Sequence, residues 1–143
     1  MYNYFKIMDK GFIKINIEEG KTPSVEARLV NNDLWISKYE MARLLNCFPQ
    51  KIEADLRSIF KNKLLWENEC TCNYRYTDKG IEKQCLFYNM ETLIFISYRV
   101  CSLEAKVFRQ FVNSALRNKL QKNNTSEIKL FWKYKSNHNY RLN

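Results

Sequence analysis

The sequence contains only one histidine, three glycines and two prolines among its 143 residues. Its glycines, Gly11, Gly20 and Gly80, are too far apart to form the glycine-rich loop that holds phosphate groups in nucleotide-binding enzymes. The histidine, His138, lies near the carboxyl end, so a histidine-based nucleophile relay would have to draw its histidine from the tail. We therefore expect no catalytic activity.

Long apolar runs are also missing. A membrane-spanning helix needs about 20 consecutive apolar residues, and the opening MYNYFKIMDKGF lacks the apolar region of a signal peptide. Five cysteines, an odd number without the spacing of a disulfide framework, indicate free thiols in a reducing compartment. We expect a cytoplasmic protein with no membrane segment.

Charge is abundant and unevenly distributed, with a net charge of +9. Residues 101–143 carry nine basic and two acidic side chains, and residues 37–66 carry six basic and three acidic ones. The remaining segments are close to neutral. Such a balance favours a polyanionic partner, either nucleic acid or an anionic membrane surface.

Residues 37–62 have the pattern of two short helices joined by a tight turn. Ser37 is a suitable N-cap, and Glu40 would complete a capping box. Pro49 suits the first turn of the second helix, because its missing N–H costs nothing there. Apolar residues recur at helical spacing on both helices, namely Met41, Leu44, Leu45, Ile52, Leu56, Ile59 and Phe60. This is the layout of a helix-turn-helix, whose second helix commonly enters the major groove of DNA.

Strands are predicted before and after this helix pair. Residues 12–17 and 25–30 alternate as short strands, and residues 70–77 and 81–88 flank a predicted three-residue loop, 78–80. That register would bring Arg75 beside Lys83, an unfavourable pair that an anionic partner, or water and salt, would relieve. It would also set Cys85 on the face opposite Cys70 and Cys72. Because zinc requires four convergent ligands, we expect no metal and no cofactor.

Two further helices are predicted in the carboxyl half, the first capped by Asn89 and the second running from Ser102 to about residue 122. The second helix should bury one stripe of apolar side chains in the core and leave Arg109 away from that stripe. Arg99 lies between the two helices. It either contacts a DNA phosphate or connects the helix ends by donating hydrogen bonds to their carbonyl oxygens. The stripe consists of Leu103, Val107, Phe108, Phe111, Val112, Ala115 and Leu116.

Several runs resemble the virulence protein RhuM family. RLVNNDLWIS (residues 28–37) and YEMARLL (39–45) are similar to the opening of that family, and YNMETLIFISYRV (88–100) is the strongest match. Ser97 stands where the family usually has glycine, and Phe111 where it has tryptophan. The family is described as DNA-binding and occurs near mobile elements and restriction systems, and its layout is related to phage antirepressor-type domains. The resemblance therefore implies DNA binding.

Together these features predict an α+β, winged helix-turn-helix-like domain over residues 1–122, with small antiparallel strands and a C-terminal helical pair. The expected function is sequence-specific or general binding of double-stranded DNA, by a regulator carried on a mobile element or near a restriction system. The expected DNA-binding residues are Lys38, Arg43, Gln50, Lys51, Ala54, Arg57, Lys61, Arg75, Lys79 and Lys83.

Two alternatives remain open at this point. The domain could be a protein–protein interaction module of antirepressor type, which the acidic residues of the second helix would suit. The basic aromatic tail, residues 123–143, could contact DNA or form a homodimer through rings such as Phe131 and Trp132.

Overall fold

The computed structural model describes residues 9–122, which form a mixed α+β arrangement with small antiparallel sheets, as the sequence predicts. The strands are β1 (Phe12–Asn16), β2 (Ser24–Arg28), β3 (Ile36–Ser37), β4 (Thr71–Asp78) and β5 (Ile81–Tyr88). The helices are α1 (Lys38–Leu44), α2 (Pro49–Lys61), α3 (Glu67–Cys70), α4 (Met90–Ser97) and α5 (Leu103–Lys122). The predicted tail, 123–143, lies outside the described residues.

Strands β1 and β2 form an antiparallel pair that packs on the core through one face. Ile13 and Ile15 alternate with polar residues along β1 and lie against the buried cluster. Gly11 precedes the pair with φ +70, and a Cβ atom there would come 2.3 Å from the carbonyl oxygen of Arg28. Only glycine therefore fits this close approach of the two chain segments.

The predicted pair of short helices is present as α1 and α2. The Ser37 hydroxyl accepts a hydrogen bond from the backbone N–H of Glu40 at 3.2 Å, so the predicted N-cap is confirmed. The Glu40 carboxylate turns to Lys10 Nζ, 3.1 Å away. Asn46, with φ 51, ends α1, and the Cys47 N–H donates to the carbonyl of Ala42. Pro49 begins α2, as predicted.

Strands β3, β5 and β4 form a second sheet with β5 in the centre. Strand β3 leads directly into α1, and it pairs with the end of β5 through Ile36 opposite Tyr88. The β4–β5 hairpin is therefore joined to the helix pair by backbone hydrogen bonds.

The register predicted for this hairpin is wrong by one residue. The loop contains two residues, Lys79 and Gly80, and both have positive φ, which matches the twist of the flanking strands. Gln84 lies opposite Arg75, and Tyr76 lies opposite Lys83. Arg75 and Lys83 therefore point to opposite faces, and no like-charge pair exists between them.

Helices α4 and α5 begin where the sequence predicts. Asn89 Oδ1 accepts from the N–H of Thr92 at 3.0 Å, and the Ser102 hydroxyl accepts from the N–H of Ala105 at 3.0 Å. Asp33 Oδ1 also accepts from the first N–H of α4, that of Met90, at 3.0 Å. This bond connects the loop before β3 to α4.

The predicted buried stripe of α5 is correct only between Val107 and Val112. Val107 and Phe108 are buried, whereas Leu103 and Leu116 are exposed at 56% and 58%, and Ala115 is exposed as well. Ala105, which was not predicted, is fully buried. Ala115 and Leu116 are exposed because contact between α5 and the core ends near Val112.

The core lies between the helix pair, α4 and the first half of α5. Its most deeply buried apolar residues are Leu34, Met41, Leu45, Ile52, Ile59, Leu93, Ile96, Ala105 and Phe108. Among residues 9–122, no helix has both the length and the apolar character needed to cross a bilayer.

Candidate nucleic-acid interface

Four exposed side chains form a line along the outer surface of α2. The opposite surface of the helix buries Ile52, Leu56 and Ile59 in the core. The exposed residues follow one another at intervals of four, three and four positions, so they share one face and extend over about 16 Å. We call this line the α2 stripe; it consists of Gln50, Ala54, Arg57 and Lys61.

Glu53 lies beside the stripe and pairs with two cations. Its Oε1 is 3.5 Å from Arg57 Nη2, and its Oε2 is 3.6 Å from Lys38 Nζ. The Glu53 side chain is 51% exposed and that of Arg57 is 74% exposed, so these ion pairs add little to stability. Their effect is on the positions of the two cations, since both are turned towards a carboxylate.

Lys51 lies to the side of the stripe. Its Nζ is 2.6 Å from Oδ2 of Asp55, whose side chain is only 10% exposed. The ion pair satisfies a carboxylate that would otherwise be buried without a charged partner. Lys51 therefore has a structural contact in addition to the DNA contact predicted for it.

An open cleft of about 450 Å³ lies between α2 and the base of the hairpin. Phe60 of α2 stacks on Tyr88 of β5, with ring centroids 6.2 Å apart. Burial raises the pKa of the Tyr88 phenol above its ordinary value. The cleft thus joins the α2 stripe to the hairpin, and it is lined by Lys38, Glu53, Leu56, Arg57, Phe60, Lys61, Glu67 and Tyr88.

The hairpin carries its three predicted basic residues to three different places. Arg75 shares a face with Tyr88, the face that meets α2 at the base of the hairpin. Lys79 is at the tip, and Lys83 is on the other face. Lys83 Nζ lies 2.8 Å from Asp78 Oδ2, and this hydrogen bond raises the Lys83 pKa. Of the three, only Arg75 therefore lies on the face of the hairpin that meets α2.

Arg43 lies elsewhere, in a second open cleft of about 410 Å³ between α1 and β1. Lys14 lines the same cleft. Arg43 thus belongs with β1, whereas Lys38 and Lys61 line the cleft beside α2. Within residues 9–122, Arg43, Lys61, Arg75 and Lys79 take part in no ion pair.

Two arginines outside this surface connect the helices. Arg99 Nη1 donates to the Ser58 hydroxyl at 3.1 Å, which supports its structural interpretation. Arg109 Nη1 donates to the carbonyl oxygens of Ser97 and Val100 at the end of α4. The prediction that Arg109 lies away from the packed side of α5 is therefore wrong, because the end of α4 supplies acceptors within its reach.

The cysteine geometry also differs from the expected one. The corrected register sets Cys72 and Cys85 on the same face of the hairpin, so the reason given for separating them was wrong. Desolvation by burial raises the pKa of the Cys47, Cys70 and Cys85 thiols. In the part of the chain that the structure describes, no group of three or more histidine, cysteine or acidic residues is arranged to hold a metal ion.

Sequence and structure comparisons find no relative. Comparison of the chain with models of protein families, with curated proteins and with solved structures gives no match. The similarity to the RhuM family therefore remains a prediction from the quoted motifs. The structure itself establishes an α+β fold in which a helix pair is followed by a β-hairpin.

Proposed function

We propose that the protein binds double-stranded DNA as a winged helix-turn-helix, with α2 in the major groove. The observation that carries this proposal is the α2 stripe, an exposed line of polar, small and basic side chains on the side of α2 that faces away from the core. The major groove is about 12 Å wide and admits one helix, and the line of about 16 Å runs along the side of α2 that would face the base edges.

The hairpin supports the proposal as a wing. Each of its strands has eight residues, so it extends roughly 26 Å from its base. Strand β3 binds its base to the helix pair. Lys79 at the tip and Arg75 on the α2 side would then contact phosphates beside the groove that α2 occupies.

The candidate DNA-binding side chains of α1, α2 and the hairpin divide between affinity and specificity. Lys38, Arg43, Lys51, Lys61 and Lys79 would neutralise phosphates. Gln50 suits adenine, Arg57 suits guanine, and the Ala54 methyl suits the methyl group of thymine; Lys51 is a further residue for base edges. The RhuM resemblance favours a regulator carried on a mobile element or near a restriction system.

A protein-binding role is the second candidate. It is favoured by two exposed aromatic side chains on the helix pair, Phe48 at 79% and Tyr39 at 55%. Exposed aromatic rings are typical of protein-binding surfaces. Docking through such rings depends weakly on salt, in contrast to DNA binding.

Salt dependence separates the two candidates. DNA binding predicts that log Kd rises with log salt concentration by several units, since each neutralised phosphate contributes about 0.9. Lys61→Ala should lower that slope by about one, because Lys61 is exposed in the α2 stripe. The matched control is Lys21→Ala, in the β1–β2 turn, where Lys21 pairs with Glu18 at 2.7 Å. Absence of duplex binding near about 50 mM salt, or a slope of zero, would contradict DNA binding.

A further inference from the structure

Glu53 is an unexpected side chain on a DNA-reading surface. It is the only acidic residue of α2 that is exposed, because Asp55 is buried. A carboxylate beside phosphates is repelled, so Glu53 lowers the affinity of α2 for DNA in general. Its position nevertheless joins Lys38 of α1 to Arg57 of the α2 stripe.

The two ion pairs restrict what these cations can do. Lys38 and Arg57 are each within 3.6 Å of Glu53, so neither can turn fully to a phosphate without losing that contact. Arg57 has five N–H donors and directs Nη2 to Glu53. Its remaining donors can still form the two-bond contact with guanine O6 and N7.

We propose that Glu53 is a specificity-determining residue that makes α2 select a G·C base pair. This inference rests on the proposed DNA binding. The Glu53 carboxylate accepts a hydrogen bond from the N4 amino group of cytosine, while Arg57 donates to guanine in the same or the adjacent pair. Thymine offers only an acceptor at the corresponding position, so a carboxylate held there disfavours it.

Specificity would then arise from repulsion as well as attraction. Where the base that faces Glu53 is not cytosine, the carboxylate has no cytosine amino group to accept from and only opposes the phosphates, which weakens binding. At the preferred pair its charge is satisfied by a donor. Glu53 therefore lowers non-specific affinity more than specific affinity, and the ratio of the two rises.

The test is the variant Glu53→Gln, which removes the negative charge that attracts Lys38 and Arg57 while keeping the side chain's size. Duplexes selected by the native protein from a random pool are compared with a scrambled duplex by fluorescence anisotropy. We expect the variant to bind scrambled DNA more tightly, with a salt slope higher by about one to two. We expect its preference for the selected G·C pair to fall by about tenfold.

The matched control is Glu67→Gln. Glu67 lines the same cleft but belongs to α3, so this variant adds the same charge without removing the carboxylate that attracts the two cations. A second variant, Arg57→Lys, keeps the positive charge but removes the planar guanidinium that can form two parallel hydrogen bonds. It should lose the preference for the selected G·C pair while keeping the salt slope.

The outcomes separate this inference from DNA binding itself. If the native protein binds no duplex, both proposals are wrong. If it binds DNA, two results would overturn the inference. One is that Glu53→Gln and Glu67→Gln show the same preference for the selected duplex over the scrambled one. The other is that the selected duplexes contain no G·C pair whose selection is lost in Glu53→Gln. A drop confined to Glu53→Gln and Arg57→Lys supports it.

Discussion

The Ser102 hydroxyl donates to the carbonyl oxygen of Leu45 at 2.5 Å while accepting from the N–H of Ala105. One side chain thus caps α5 and satisfies a backbone oxygen at the end of α1. Leu45 immediately precedes the turn into α2. The position of α2 relative to the carboxyl-terminal helices therefore depends in part on this hydroxyl.

Ser102→Ala should destabilise the protein by about 1–2 kcal/mol, because α5 loses its cap and the Leu45 carbonyl loses its donor. Urea denaturation followed by circular dichroism measures the change in the free energy of unfolding. Ser114→Ala, on the exposed second half of α5, is the control and should change that free energy by less than about 0.5 kcal/mol. Equal stabilities of the two variants would show that the Ser102 contacts contribute nothing.

Arg109→Ala should lower the free energy of unfolding by about 1–3 kcal/mol. The substitution leaves the carbonyl oxygens of Ser97 and Val100 without the charged donor that binds them. Arg117→Ala, an exposed arginine of the same helix, should have little effect. Arg109→Lys keeps the positive charge but not the several N–H donors of the guanidinium, so it should recover only part of the lost free energy of unfolding. A fully stable Arg109→Ala protein would contradict this role.

Stability should fall at alkaline pH. Burial raises the folded-state pKa of Cys70 above 9.0 and that of Tyr88 above 10.0. Their contribution to stability is fully present below those ordinary values, and it is lost as the pH rises through the folded pKa, because the unfolded chain releases the protons more easily. Urea midpoints measured between about pH 8 and pH 11 should show the decline, and Cys70→Ala with Tyr88→Phe should make the curve flatter. An unchanged slope in the double variant would contradict this origin.

Removal of residues 123–143 should leave the domain folded. The caps, the sheets and the core described above all lie before residue 123. We expect the tail to act as a dimer arm, so truncation should lower the mass measured by light scattering while the salt slope per monomer stays the same. A slope lower by a few units at constant mass would instead identify the tail as a DNA contact. A truncated chain that fails to fold would contradict the domain boundary at 122.

Helix starts were predictable because their chemistry is local. Ser37, Asn89 and Ser102 each accept a hydrogen bond from the N–H three residues later, and Pro49 occupies the first position of α2. A capping side chain and the backbone N–H that donates to it lie within one turn, so four letters of sequence are sufficient to indicate them.

The hairpin register was not predictable in the same way. The letters Asp78-Lys79-Gly80 fit a two-residue loop as well as a three-residue one. The two choices differ by one residue in register, which moves every side chain of one strand to the opposite face of the hairpin. The observed register also brings distant residues into contact, and Lys10 Nζ lies 4.5 Å from the centre of the Phe87 ring. Such contacts have no signature in a local stretch of sequence.

The exposed residues of the candidate site were predictable from the sequence, but the contacts that join them to other elements were not. The period of α2 indicates which side of the helix is exposed, and thus the α2 stripe. It gives no sign that Glu53 also reaches Lys38, or that Phe60 stacks on Tyr88, since each pair joins two separate elements. Arg109 illustrates the same limit, because its acceptors belong to the end of α4.

The most direct test of the central claim is an NMR titration of isotope-labelled protein with a short DNA duplex. If α2 reads DNA, the largest changes in amide signals should fall on Gln50, Ala54, Arg57 and Lys61, with smaller changes at Arg75 and Lys79. Leu93 and Ile96, in the core, should stay unchanged as internal controls. Changes confined to residues outside α2 and the hairpin, or no change at a duplex concentration well above that of the protein, would contradict DNA recognition by this helix.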